Sequence, residues 1–226
     1  MLAFRAHPKL THTVMLAEVQ AHAAADRYRT GDYWYDGHGC AVGCSLHSAA
    51  VLTGEGIAES DHTAFPLYLG IPEQLAHMQD WCFEHLPAEA RATWPVDFIV
   101  AIPDGADLEP SIDRILARIL REVVLPVAGG SAGIVERVAT GLETNWANDD
   151  RAAATTAAWA AAWAAAAGPA AAAAARAAAW AAEAAAAAWA AGAAEAARSA
   201  AGPAAAAAES ATQSIAQILL AEMRKC

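Results

Sequence analysis

The chain has 226 residues and carries 25 acidic against 14 basic side chains, for a net charge of -11 and an isoelectric point near 5.0. That acidity argues against nucleic acid or an anionic membrane surface as a partner, because both would repel it. The length allows one large or two modest domains with a sizeable core. Four cysteines, two in one short motif and one at the C-terminus, do not make the framework of a secreted disulfide protein, so a reducing cytoplasm is the expected location. The first residues lack a long apolar run followed by a small-residue cleavage site, and no signal peptide is expected.

Thr11 or Thr13 is placed to cap a first helix running to about Tyr28, with Val14, Ala17, Ala21 and Ala24 as its apolar stripe. His22 and Asp26 lie one turn apart, so Asp26 is placed to orient His22 toward the thiols that follow. The plainer alternative is a solvated pair at helical spacing.

Residues 31–47 read Gly-Asp-Tyr-Trp-Tyr-Asp-Gly-His-Gly-Cys-Ala-Val-Gly-Cys-Ser-Leu-His, the most chemically dense stretch of the chain. Gly37 and Gly39 permit a tight turn and can present backbone amides to a ligand. A helix over 41–52 sets Cys40 near its first turn and puts Cys40, Cys44 and His47 on one face. A thiol there is expected to be acidified by the helix dipole. This makes Cys40 the candidate nucleophile, with His22 or His47 as base and Asp26 as orienter. Trp34, Asp36, Gly37, Gly39 and Gly43 would surround the ligand, and the amides after Gly39 would bind an anion.

Two thiols and an imidazole are also zinc ligands, so Cys40, Cys44 and His47 form an alternative metal set with a fourth ligand from elsewhere, although the spacing is not that of a common zinc finger. A Cys40–Cys44 disulfide across one helical turn is disfavoured by helix geometry. The Cys-x3-Cys-x2-His spacing is similar to the iron–sulfur motif of radical enzymes that use S-adenosylmethionine, with histidine in place of the third cysteine. No alternating strand and helix pattern follows to build their barrel. In the plainest reading both cysteines are packed as small hydrophobes.

After a Gly-, Ser-, Asp- and Pro-containing connection over 54–70, Pro72 opens a helix to about residue 86. It carries Glu73, His77, Asp80 and Glu84 on a face separate from Leu75, Met78 and Trp81. Such a face suits a hard-metal or acid/base site, or simply water. Asp80 and Glu84 are the ligand-binding candidates here, and Cys82 and His85 are further soft ligands within reach of the first motif. Trp94-Pro95 predicts the start of a helix that buries Phe98, Ile99 and Ile102 and ends at Pro103-Asp104-Gly105. Pro110 opens an amphipathic helix with Ile112, Ile115, Leu116, Ile119 and Leu120 as its core stripe. Gly129-Gly130 separates it from a short helix through Thr140, and no segment alternates well enough to predict a strand.

From about residue 150 the composition turns to alanine, punctuated by Trp159, Trp163, Trp180 and Trp189. Gly168-Pro169 and Gly202-Pro203 break this tract into three helical segments, with disorder the alternative for so simple a composition. Interrupting charges and marginal apolarity argue against a membrane span. The amphipathic end, 215–223, is a candidate homodimer contact. All eight histidines precede residue 86, so any site chemistry belongs to the first part.

The run Tyr-Trp-Tyr-Asp-Gly-His-Gly-Cys-Ala-Val-Gly-Cys-Ser-Leu-His, with Leu-Gly-Ile-Pro, Phe-Glu-His-Leu-Pro and Ala-Ile-Pro-Asp-Gly-Ala-Asp-Leu after it, resembles a family of bacterial proteins of unassigned activity, many with an alanine-rich tail. The resemblance covers most of residues 1–125 and implies a discrete domain without implying a mechanism.

Together these features predict an all-α multi-helix bundle. A helical domain over 1–145 would carry the Gly/Cys/His motif, with an Ala/Trp-rich helical tract over 146–226 packed on it or on a partner subunit. The expected function is a small-molecule enzyme or binding protein built around the Cys/His site, with cysteine nucleophile chemistry first. A zinc-binding protein and a non-enzymatic helical immunity or regulatory protein with structural cysteines are the alternatives.

Overall fold

The computed structural model describes residues 1–127, 132–144 and 203–226. The expected alanine-rich helices up to residue 202 lie outside the described residues. Those residues are mostly helical, with isolated bridges but no strand or sheet among them, so the fold is all-α as expected. The helices are α1 (His12–Ala24), α2 (Ala41–Thr53), α3 (Glu73–His85), α4 (Ala88–Ala101), α5 (Glu109–Ile119), α6 (Ala132–Glu143) and α7 (Pro203–Met223). None of the described helices is long and apolar enough to cross a membrane.

The chain divides into two compact units, Met1–Glu109 with Leu220–Cys226, and Pro110–Leu219. In the first unit, α1 packs on α2 and α4, and α3 packs on the same two helices, closing a cycle of four. Its core holds Leu10, Met15, Leu46, Leu75, Met78, Phe83, Phe98 and Ile99, all fully buried. The N-terminal segment ties into this unit through Ala3 N–H to Ala106 O and Phe4 N–H to Leu69 O.

Several local rules play out differently from the sequence pattern. α1 is capped by the Thr11 hydroxyl, which accepts from Val14 N–H. The helix stops at Ala24 rather than near Tyr28, because Asp26 takes a left-handed backbone with φ 51°. Its buried side chains are Met15, Val19 and His22, one position round from the alanine stripe. The larger groups take the core because alanines offer little apolar area to bury. Similarly, α4 begins at Ala88 and not at Trp94. Glu89 and a run of strong helix formers start it after Pro87, leaving Pro95 in the helix interior, where the ring removes one N–H from the ladder.

In the second unit, α5 buries Ile112, Ile115, Leu116 and Ile119 and continues into a π-helical turn, Leu120–Val124. α6 packs on that turn, and Arg121 reaches from it to Glu136, Glu143 and Thr140 of α6. Along α7, Ile215, Ile218, Leu219 and Met223 are buried.

Candidate functional site

The chain between α1 and α2 folds over the start of α2. Tyr28 and Gly39 are bridged through Gly39 N–H to Arg27 O and Arg29 N–H to Gly39 O. A tight turn at Tyr35–His38 follows the left-handed conformations of Asp36 (φ 48°) and Gly37 (φ 82°). Asp36 and Gly37 thus sit at the tip of a hairpin, beside an exposed Tyr35. Gly39 and Gly43 serve a different need. The Tyr33 carbonyl lies so close to both that a Cβ at either position would overlap it. The space where an anion was expected is therefore taken by backbone, and the Cys40 and Gly39 amides are bonded to Asp32 O and Arg27 O.

Cys40 is the N-cap of α2, with extended backbone, and its Sγ accepts from Gly43 N–H at 3.4 Å. The close pass of Tyr33 and the packing of α3 against α2 bring this sulfur to Asp80 and Glu84. One donor atom from each of Cys40, Asp80 and Glu84 lies within 4.8 Å of the other two. Each is held from behind. Gly31 N–H donates to both Glu84 oxygens at 3.2 and 3.1 Å, and His62 Nε2 donates to Asp80 Oδ2 at 3.3 Å. Asp80 Oδ1 is buried and has no hydrogen-bond partner among the described residues.

The electrostatics follow from this crowding of acids. Burial pushes the Cys40 thiol far above its ordinary value, and Asp80 pushes it further. The lowering by the Gly43 amide is outweighed. The dipole argument from sequence had the opposite sign because it saw the helix but not the carboxylates from α3. Burial and then Asp80 likewise raise Tyr33 to about 12. Behind Asp80, the His62 ring stacks on His77 with centroids 4.0 Å apart, and His77 Nε2 faces Glu73 Oε1 at 3.5 Å. Burial and then His62 lower the His77 pKa.

The other residues singled out from sequence lie elsewhere. His22, 3 % exposed, places Nε2 2.9 Å from Ser48 Oγ, while the Ser48 hydroxyl donates to Glu18 Oε2 at 2.9 Å. The one serine proton is thereby used, so His22 Nε2 carries its own proton and donates. Its Nδ1 is then a buried lone pair with no partner among the described residues. Asp26 is not bonded to His22; it is exposed in the turn after α1. Trp34 lies between two imidazoles, edge-on to His22 at 5.6 Å and stacked on His47 at 3.9 Å. His47 Nδ1 faces Glu59 Oε1 at 3.4 Å.

Cys44 is fully buried with Sγ turned to Gly39 O at 3.5 Å, and burial raises its pKa to about 12. Cys82 is buried alone, and His85 Nδ1 donates to Trp81 O. The structure therefore brings together Cys40, Asp80 and Glu84 from the sequence candidates, and leaves Cys44, His47, His22, Asp26, Cys82 and His85 outside that cluster.

Tyr33, His62 and the Gly31 amide complete the surroundings of the cluster and were not singled out from sequence. Tyr33 lay inside the dense motif and was legible as an aromatic of that stretch. His62, in a connecting segment with no periodicity, carried no signal. No protein family, curated protein or solved structure matches this chain.

Proposed function

We propose that this is a zinc-binding protein in which Cys40, Asp80 and Glu84 hold one divalent ion, and that the ion forms the functional centre for a small-molecule ligand. The observation that carries this reading is the convergence of a thiol and two carboxylates, with Asp80 Oδ1 buried and unpaired while its sister oxygen is fixed by His62. The charges of Asp80 and Glu84 disfavour the thiolate of Cys40, and a divalent cation bound beside the sulfur would offset them as the thiol proton leaves. The outer contacts fit the same role, since ligating groups are commonly oriented by hydrogen bonds from a second layer. Sulfur together with carboxylate oxygen suits zinc better than magnesium or calcium, which take oxygen alone. Three protein ligands leave one position of a tetrahedral ion for water or a ligand, as in catalytic zinc sites.

The cysteine nucleophile reading draws less support. The thiol is held protonated, and the rings of His22 and His47 are engaged by Ser48 and by Trp34 with Glu59. An activated thiol needs a base at hydrogen-bond distance and a lowered pKa.

The test is a zinc titration of the purified full chain by equilibrium dialysis, compared with Cys40→Ser, Asp80→Asn and Glu84→Gln. The expected result is about one zinc per wild-type chain, with affinity reduced at least tenfold in each variant and unchanged in Cys44→Ser. Equal zinc binding by wild type and Cys40→Ser would overturn the assignment.

A further inference from the structure

A cleft of about 530 Å³ opens between the chain that follows α1 and the first turn of α4, within the first unit. Its walls include Asp26, Tyr28, Arg29, Thr30, Ala88 and Arg91. The volume is in the range of small-molecule sites. What distinguishes it is charge. The chain carries 25 acidic and 14 basic side chains, and some of its arginines are paired with carboxylates. Arg5 pairs with Asp104, Arg118 with Glu122, and Arg121 with Glu136 and Glu143. Arg29 and Arg91 have no carboxylate partner among the described residues, which is also true of Arg27, Arg137 and Arg224, but these two line one cleft together.

We propose that the cleft binds the phosphate group of a small phosphorylated molecule, held between the Arg29 and Arg91 guanidiniums. Planar guanidinium forks match phosphate oxygens in pairs, which a single ammonium cannot do. Two further features fit the same ligand. Pro87 precedes α4 without a side-chain cap, so the first-turn amides beside Ala88 have no capping side chain, and Thr30 adds a hydroxyl. Tyr28, whose hydroxyl donates to Val19 O and whose ring packs against Phe83, also lines the cleft and limits its polarity. Asp26 is the one carboxylate among these groups. It suits a hydroxyl of the ligand, not the phosphate. The site stands independently of the zinc reading, because it shares no side chain with Cys40, Asp80 or Glu84.

The experiment is titration of the full chain with inorganic phosphate and with methyl phosphate, followed by amide NMR shifts and calorimetry. It is run in parallel on Arg29→Gln, Arg91→Gln, the double variant, Arg5→Gln and Cys40→Ser. Saturable shifts centred on residues 26–30 and 88–92 are expected. Affinity should fall about tenfold or more in each single variant, as loss of a charge-assisted hydrogen bond requires, and stay unchanged in Arg5→Gln and Cys40→Ser. Because Arg29 and Arg91 are not in the core, native spectra of the variants serve as the folding control. Phosphate binding that survives the double variant, shifts confined to the surroundings of Cys40, or no saturable binding would each overturn the proposal.

Discussion

Cys40 shows how a residue's chemistry is set by neighbours that the local sequence does not reveal. Spacing placed it correctly at the start of α2, yet the acids that govern it come from α3, about forty residues on. Its raised pKa has a measurable consequence. Zinc must displace the thiol proton, so zinc affinity should rise close to tenfold per pH unit between about pH 6 and pH 8. A pH-independent affinity would show that the thiolate is not a ligand.

His22 gives a second test, this time on stability. Burial, with Arg27 next, lowers its folded pKa below the ordinary value of about 6.5. The unfolded chain therefore takes up a proton first, so this contribution is complete above about pH 6.5 and is lost as pH falls toward the lowered folded value. Denaturation midpoints measured from about pH 7.5 down to about pH 5 should fall more steeply in wild type than in His22→Asn. Gln79 is simpler. It is fully buried, and neither side-chain amide atom has a partner among the described residues. Gln79→Met should therefore raise stability by ~1 kcal/mol, read as a higher urea midpoint at constant slope.

At the scale of elements, the hairpin and loop before α2 are the part that organises the centre. Backbone passing over a helix start requires glycine where it touches, and Gly39 and Gly43 meet that need for Tyr33. Gly43→Ala should destabilise the protein by roughly 2 kcal/mol or more and weaken zinc binding, since the methyl group would push the Tyr33 segment off Cys40. Gly56→Ala, with open space around it, is the matching control and should change stability by less than about 0.5 kcal/mol.

The four α-helices of the first unit were readable from apolar periodicity and from Thr11 as a cap, while the helical turn Phe65–Leu69 fell in a stretch read as a connection. Boundaries were less so. Pro95 looked like a helix start because proline favours the first turn, but the helix formers upstream outweighed it. The acid/imidazole face of α3 was visible from its spacing. Its meeting with Cys40 was not, since nothing in a linear pattern records that α3 packs beside α2.

For the molecule as a whole, the two units differ in the side chains they carry among the described residues. The second holds the strongly amphipathic α5 and the Arg121 contacts to α6. The first carries all the histidines, the Cys40 cluster and the arginine cleft. Charge was the whole-molecule property most directly legible in the sequence. What it hid was distribution, with two guanidiniums gathered at one cleft and two carboxylates turned onto a thiol. Those placements depend on long-range packing, which composition averages away.

The central claim is a zinc ion bound by one sulfur and carboxylate oxygens, and X-ray absorption at the zinc edge of the loaded protein measures that ligand set directly. A single sulfur at about 2.3 Å with the remaining ligands oxygen at about 2.0–2.2 Å is the expected first shell. A shell with two sulfurs, or with none, would contradict the assignment of Cys40, Asp80 and Glu84.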